Sequence, residues 1–322
     1  MQQNTLCDEF IDASVSPFVV KHGFRSLRPE DGSLFERYIN QMPGMLSSYI
    51  CFSSLLMWEE RYQVYWKQQG GYLLLILKGG AGEYWEAIPP LGRYDEEHLL
   101  ELAKVWRGLE RIFQMENQAF LCTEVMEWMI PWIERMGFSH WLEYDLASSD
   151  YIYEAEAFRA SLENQKTRYN IRYFLQKQEW KFRELNGEDF PLYESVLSQS
   201  FCTHHQCEEC ISGCQIRALK CMVEKHEQLG VRGGLAFVED RPAGYVGVAR
   251  VRDVLIYQAL KHVYGIRGLA EWMRKTALER WGEGICFINY TEDMGQEGLR
   301  KHKQNLCMYK LSHSYHGRIS TL

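Results

Sequence analysis

The sequence lacks a long hydrophobic run, a basic segment at its start and an excess of positive charge. Its longest unbroken apolar run covers residues 72–77, whereas a helix needs roughly 20 apolar residues to span a bilayer, so we expect no transmembrane segment. The first ten residues include Asp8 and Glu9 and no basic region ahead of an apolar stretch, which argues against a secretory signal. We therefore expect the mature chain to begin at Met1.

The formal net charge of -7 excludes a protein that coats nucleic acid nonspecifically, because such binding needs many Lys and Arg side chains to displace counterions from phosphates. A local basic site stays open. The ten cysteines of a chain without an export signal are expected to stay reduced in the cytoplasm. They would act as small apolar residues, metal ligands or reactive thiols rather than as disulfides.

The chain does contain enough apolar material for two cores, since 46% of its 322 residues are hydrophobic and a domain usually takes about 100–200 residues. In the first half, residues 72–77 and 84–88 predict a hairpin that ends at Pro89 and Pro90. Asp95 is the predicted N-cap of the next helix, and residues 141–146 are predicted to close the half as a strand.

The second half repeats this order. A long helix is predicted from near Glu154, a hairpin over 234–251, strands over 254–260 and 285–289, and a last helix from Met294. Sheets that alternate with helices in this way favour an α/β or α+β fold, with mixed sheets flanked by helices. The repeated order suggests a duplication, and the alternative is a coincidence of two mixed domains.

The most specific motif is INYTEDMGQEGLRKHK, which covers residues 288–303. It resembles the N-x-x-E-D-x-G-x-x-G-L-R-x-x-K signature of the family that includes the C-terminal domain of phosphatidylglycerol lysyltransferases. A second match begins with DYIY at residues 150–153 and continues through Leu162, Lys166, Asn170 and Phe174. Weaker similarities occur around residues 48–58 and 90–92, so the resemblance covers most of the chain.

The resemblance implies two tandem GNAT-like acyltransferase domains, over residues 1–148 and 149–322, related to the Fem-type aminoacyltransferases. It implies transfer of an acyl or aminoacyl group from a charged tRNA or an acyl-CoA donor, and leaves a peripheral contact with anionic lipid open. The site would lie in the C-terminal domain, near the ends of strands 254–260 and 285–289.

Two departures from the family pattern favour a rival hypothesis. Residues 164–170 lose part of the positive charge that the family carries there, and residues 260–262 read Leu-Lys-His where the family has Glu-Lys-Ala. A chain that has lost this carboxylate is also compatible with a non-catalytic ligand-binding or adaptor protein that retains the fold.

Glu292 is the main catalytic candidate, as a general base or as the group that binds a substrate amine. Acyl transfer needs a carboxylate or imidazole that accepts the proton of the nucleophile. A solvated loop carboxylate is the alternative. Asp293 is a second catalytic candidate, although its spacing to Gln296 is typical of a capping box at the start of a helix.

The predicted substrate-binding residues are polar or cationic. Arg300 and Lys303 share a helix face and suit a phosphate or lipid headgroup, unless they only solvate the helix. Asn289 at a strand end, and Lys261 and His262 at the neighbouring strand edge, are the remaining candidates.

Gly265 and Gly268 are weak candidates for cofactor binding, because they follow a strand and open a helix, where GNAT enzymes bind the pyrophosphate of acetyl-CoA on backbone amides. A tight turn with close packing explains these glycines as well.

A cluster of cysteines and histidines over residues 202–214 invites a metal-site hypothesis. However, Cys207, Cys210, Cys214 and Cys221 recur at helical spacing, so a buried apolar stripe is favoured and no metal is predicted. For the aromatic segment over residues 49–66, packing in the core is favoured over binding of bases or lipid.

Overall fold

The computed structural model describes residues 17–45, 47–78, 84–202 and 215–321. The strands of this part of the chain form one mixed sheet, and helices cover it, which confirms the predicted mixed α/β class. In chain order the strands are β1 (Arg25–Ser26), β2 (Tyr65–Gln69), β3 (Tyr72–Lys78), β4 (Trp85–Leu91), β5 (Leu121–Met126), β6 (Phe138–Glu154), β7 (Trp180–Glu184), β8 (Val231–Val238), β9 (Arg241–Val251), β10 (Val254–His262), β11 (Phe287–Asn289) and β12 (Lys310–Thr321).

The helices are mostly short, and the longest helix among the described residues has 17 residues. None of these helices is both long enough and apolar enough to cross a membrane. In chain order they are α1 (Pro17–Lys21), α2 (Gly32–Ile39), α3 (Phe52–Met57), α4 (Glu59–Tyr62), α5 (Leu99–Met115), α6 (Ile130–Arg135), α7 (Ala155–Leu162), α8 (Gln165–Lys177), α9 (Phe190–Leu197), α10 (Gln215–Glu224), α11 (Leu269–Trp281) and α12 (Glu297–Gln304).

The strand order is β1-β2-β3-β4-β5-β12-β6-β11-β10-β9-β8-β7. The pairs β4–β5 and β10–β11 are parallel, and the other pairs are antiparallel. The C-terminal strand β12 therefore lies between β5 and β6, so that the end of the chain completes the sheet of the first half. The boundary expected at residues 148/149 falls inside β6, and the division into two domains stays a prediction.

The predicted hairpin of the first half is present as β3 and β4, and six residues of β3 are buried. The expectation that Pro89 and Pro90 end it is wrong, because β4 continues to Leu91. The register of β3 against β4 shifts between Leu73 and Leu75. Such an irregularity tolerates proline, which has no N–H for the ladder.

Several predicted element boundaries are wrong for local reasons. Asp95 does not cap α5, which begins one turn later; the Asp95 carboxylate instead accepts hydrogen bonds from the backbone and ring nitrogens of His98. The helix expected from Glu154 is two helices, because the Asn164 side chain accepts from the Thr167 N–H and caps α8. The strand expected over 141–146 is the much longer β6.

The aromatic segment divides between core and surface. Phe52, Tyr65 and Trp66 are buried in the largest apolar cluster, as predicted. Trp58 and Tyr62 are partly buried against the same cluster and, with Tyr49, also line a cleft, so core packing is not the only role of the segment. The apolar stripe of α5 is buried as its spacing predicts.

Candidate active site

A cleft of about 660 Å³ opens beside the end of β10. Its walls come from residues 48–62, from α10, from the end of β10 and the start of α11, and from the loop after β11 together with α12. Of the sequence-predicted site residues, Glu292, Lys303, Lys261 and His262 line it. Asn289, Asp293, Arg300, Gly265 and Gly268 are not among its lining residues.

The loop after β11 reverses direction through residues in the left-handed region. Thr291, Met294 and Gly295 have φ values of 56°, 52° and 71°. Positive φ is unusual for Thr and Met, and such backbone conformations persist only where the surroundings enforce them. As a result Glu292 faces the cleft, whereas the adjacent Asp293 is fully buried on the other side.

Asp293 is an anchor for this loop. Its carboxylate accepts hydrogen bonds from the Tyr151 hydroxyl at 2.9 Å, from the Gly295 N–H at 2.8 Å and from Arg300 Nε at 2.7 Å. Burial raises the pKa of Asp293, but these donors, Arg300 first, outweigh burial and leave the pKa below its usual value. The capping-box interpretation is wrong, because α12 begins only at Glu297 and its N-cap Gln296 makes no side-chain cap.

Arg300 and Lys303 occupy different surroundings. Arg300 is paired with Asp293. Lys303 is 2% exposed, and its ammonium donates to the carbonyls of Tyr290 and Glu292, the latter at 2.6 Å. Burial lowers the pKa of Lys303 to about 8, against the opposing effect of Glu292 and Asp150. Both cations therefore hold the loop that carries Glu292.

Asn289 connects this loop to a buried carboxylate. Its side-chain N–H donates to Asp150 at 2.7 Å, and Asp150 also accepts from the backbone N–H and the hydroxyl of Ser48 at 2.6 and 2.9 Å. Burial, and then the charge of Glu292, raise the pKa of Asp150 to about 6. In the sequence, Asp150 stands out only as part of the DYIY match. No pattern indicates that it forms hydrogen bonds with Ser48, which lies 102 positions earlier.

Glu292 lies close to Tyr49, and both residues line the cleft. Burial, and then the carboxylate of Glu292, raise the pKa of Tyr49 well above its usual value, so that the phenol keeps its proton. A protonated phenol is a hydrogen-bond donor, and the neighbouring carboxylate of Glu292 offers acceptor oxygens. Tyr49, for which the sequence predicts core packing, is thus a functional candidate.

Glu124 is a second candidate that the sequence does not indicate. It lies in β5 with a φ of 56° and accepts a hydrogen bond from the Ser314 hydroxyl at 3.3 Å. It lines a second cavity of about 170 Å³, which shares Tyr49, Trp58 and Tyr62 with the cleft. Burial raises the pKa of Glu124 to about 8. A single Glu within a strand carries no sequence signal that distinguishes it from a surface residue.

The two glycines have different surroundings. Gly265 has a φ of 87° with open space at its missing side chain, whereas a Cβ at Gly268 would lie 2.1 Å from the carbonyl oxygen of Asn170. Close packing of the start of α11 against α8 therefore accounts for Gly268.

No group of three potential metal ligands occurs among the described residues. Of the cluster over residues 202–214, everything except the backbone of Cys202 lies outside the described residues. The hypothesis of a buried cysteine stripe there stays a prediction.

The fold defines a class, that of the tandem GNAT and FemX folds. The structure is similar to that of FemX, with a TM-score of 0.64 and 9% identity over 91% of this chain and 96% of that chain. It is also similar to a tandem GNAT protein from the clavulanic acid biosynthesis pathway, with a TM-score of 0.53 and 8% identity over 92% and 97% of the two chains.

Within this class, the chain belongs to the family described as phosphatidylglycerol lysyltransferase, C-terminal, whose model matches residues 46–305. A conserved protein of unknown function from Bacteroides thetaiotaomicron has a similar structure, with a TM-score of 0.80 and 21% identity over 92% of this chain and 99% of that one. No curated protein shows a significant match to the sequence. The family expected from the motif over residues 288–303 is thus confirmed.

Proposed function

We propose that this protein transfers an acyl or aminoacyl group to an amine or hydroxyl acceptor, with Glu292 as general base. The observation that carries the proposal is the placement of Glu292, the one acidic side chain among the described residues that line the cleft. Lys303, Asp293 and Asn289 hold its loop through buried or partly buried hydrogen bonds. A catalytic carboxylate needs such a fixed position more than a solvated loop carboxylate does.

The reaction would follow general-base acyl transfer. The acceptor N–H or O–H gives its proton to Glu292 as its N or O attacks the carbonyl carbon of the donor. The bond from that carbon to the leaving oxygen or sulfur then breaks, and the leaving group receives the proton. The Tyr49 phenol would orient the Glu292 carboxylate by donating to it.

The donor we propose is a charged tRNA, and membership of the lysyltransferase C-terminal family supports a lysyl group. Acyl-CoA is the alternative donor. Its support is weaker, because Gly268 is explained by the approach of Asn170 and neither Gly265 nor Gly268 is among the residues lining the cleft. Lys261 and His262 line the cleft and would contact the substrate.

The test is transfer of radiolabelled lysine from charged tRNA to phosphatidylglycerol vesicles, with acyl-CoA as a parallel donor. Glu292→Gln should lower turnover by about 100-fold or more, within the usual range for a general base. The matched control is Glu297→Gln, an exposed carboxylate on α12, which should retain wild-type turnover. Unchanged turnover of Glu292→Gln would remove the base from the mechanism.

The adaptor hypothesis has one structural observation in its favour. Leu260, which stands where the resembled family has a glutamate, lines the cleft, so an apolar group replaces a carboxylate there. If the wild-type protein turns over neither donor but is stabilised against heat by charged tRNA or by anionic vesicles, the adaptor function is favoured.

A further inference from the structure

Arg274 is a buried cation on the wall of the cleft. It lies on α11, is 4% exposed and is among the lining residues. Removing a guanidinium from water costs several kcal/mol unless a carboxylate or other acceptors compensate. A buried arginine is therefore normally found with an anion.

The protein supplies little compensation for this charge. Among the described residues, no carboxylate lies within 4.0 Å of the Arg274 guanidinium. Its Nε is 3.4 Å from the Ala270 carbonyl and its Nη1 is 3.3 Å from Nε2 of His302, and both contacts are long. The Tyr290 hydroxyl also contacts it. Glu271, one turn earlier on α11, accepts a hydrogen bond from the side-chain N–H of Asn170 at 3.0 Å.

The surroundings of Arg274 in the cleft are cationic or neutral. Lys261, His262, His302 and Lys303 line the same cleft, and Glu292 is the one acid among its described lining residues. Positive groups grouped on a concave surface raise the local concentration of anions. Arginine in particular suits the two oxygens of a carboxylate or a phosphate.

We propose that Arg274 and the adjoining wall of α11 and α12 form a subsite that binds an oxyanion, a phosphate or carboxylate group of the ligand. The guanidinium donates to the anion, whose charge compensates a cation that has only neutral partners and long contacts in the protein. The subsite does not depend on transfer chemistry or on Glu292, so it can be tested without turnover.

The experiment measures heat unfolding of the full chain in phosphate, acetate or chloride at one pH and one ionic strength. At a phosphate concentration about 100-fold above Kd, the wild-type midpoint should rise by about 4 °C over chloride. Arg274→Gln should lose this rise, and Arg274→Lys should keep part of it. The control Arg241→Gln removes an exposed charge at the start of β9 and should keep the full rise.

A rise with phosphate alone identifies a phosphoryl ligand group, and a rise with acetate as well identifies a site that accepts carboxylates. The proposal is overturned if neither anion stabilises the wild type beyond chloride. It is also overturned if Arg274→Gln retains the full rise, or if Arg241→Gln loses as much. Should Arg274→Gln not fold, titration of the wild type and Arg274→Lys with inorganic phosphate gives the same comparison. Glu292→Gln should keep the full rise of its unfolding midpoint in phosphate whether or not it loses turnover. The two proposals can therefore fail separately.

Discussion

Lys303 and Glu292 are connected through the backbone, since the Lys303 ammonium donates to the Glu292 carbonyl at 2.6 Å. The same ammonium donates to the carbonyl of Tyr290, so one side chain of α12 fixes two residues of the loop after β11. The Glu292 side chain remains directed into the cleft. A cation of the motif thus positions the acid of the motif.

Lys303→Met should destabilise the protein by about 2–4 kcal/mol, because two buried carbonyls would lose their donor. Urea unfolding measures the change. Lys301→Met is the matched control, since Lys301 is an exposed member of an ion pair with Glu297 and exposed pairs contribute at most about 1 kcal/mol. Equal unfolding midpoints for the two variants would show that Lys303 does not hold the loop.

Asp293→Asn should lower the free energy of unfolding by about 1–3 kcal/mol at neutral pH, because it breaks the ion pair with Arg300. In this pair Asp293 is fully buried and Arg300 is partly exposed. The pKa of Asp293 lies below its usual value of 3.8, so its contribution is present above that pH and is lost as the pH falls through the folded-state pKa. The difference between wild type and variant should therefore narrow below about pH 4.

Unfolding of the two proteins at neutral pH and near pH 3 measures this change. Asp240→Asn, which removes an exposed ion pair with Lys181, is the control. Its free energy of unfolding should be almost equal to that of the wild type at both pH values. A difference for Asp293→Asn that is independent of pH would contradict an ionised Asp293.

The sequence predicts the parts of the fold that local patterns encode. The hairpin of β8 and β9 and the buried stripe of α5 follow from periodicity and turn residues. Strand β12 is not predicted, because most of its residues are polar and its partners β5 and β6 are distant in sequence. Its place in the sheet is set by tertiary pairing.

The candidate site shows the same division. The motif over residues 288–303 identifies Glu292 and Lys303, which do meet at the cleft. Asp150 pairs with Ser48, and Arg274 is a buried cation only because of the packing around it. Such relationships depend on contacts across the fold, which neither periodicity nor spacing records.

Glu124→Gln should make stability less dependent on pH. The pKa of Glu124 is raised from 4.5 to about 8, so the folded state holds a proton that the unfolded chain releases between these pH values. The stabilisation by protonated Glu124 is fully present below about pH 4.5 and is lost as the pH rises through 8. A shift of this size corresponds to roughly 5 kcal/mol.

Relative to Glu124→Gln, the wild type should therefore lose stability between pH 5 and pH 9, as measured by urea unfolding across about that range. Glu97→Gln, at an exposed carboxylate, is the control and should follow the wild type. Parallel curves for the wild type and Glu124→Gln would mean that Glu124 is ionised in the folded protein.

Gly268→Ala and Gly265→Ala separate close packing from backbone strain. Both glycines have a φ near 85°, so each alanine carries a similar conformational cost of about 1–2 kcal/mol. At Gly268 the new Cβ would also lie 2.1 Å from the carbonyl oxygen of Asn170, which is backbone and has little freedom to move. Thermal unfolding should therefore show an additional loss of roughly 2 kcal/mol or more for Gly268→Ala. If both variants are equally stable but Gly268→Ala alone weakens the binding of acyl-CoA, the glycine serves a cofactor and the packing explanation is wrong.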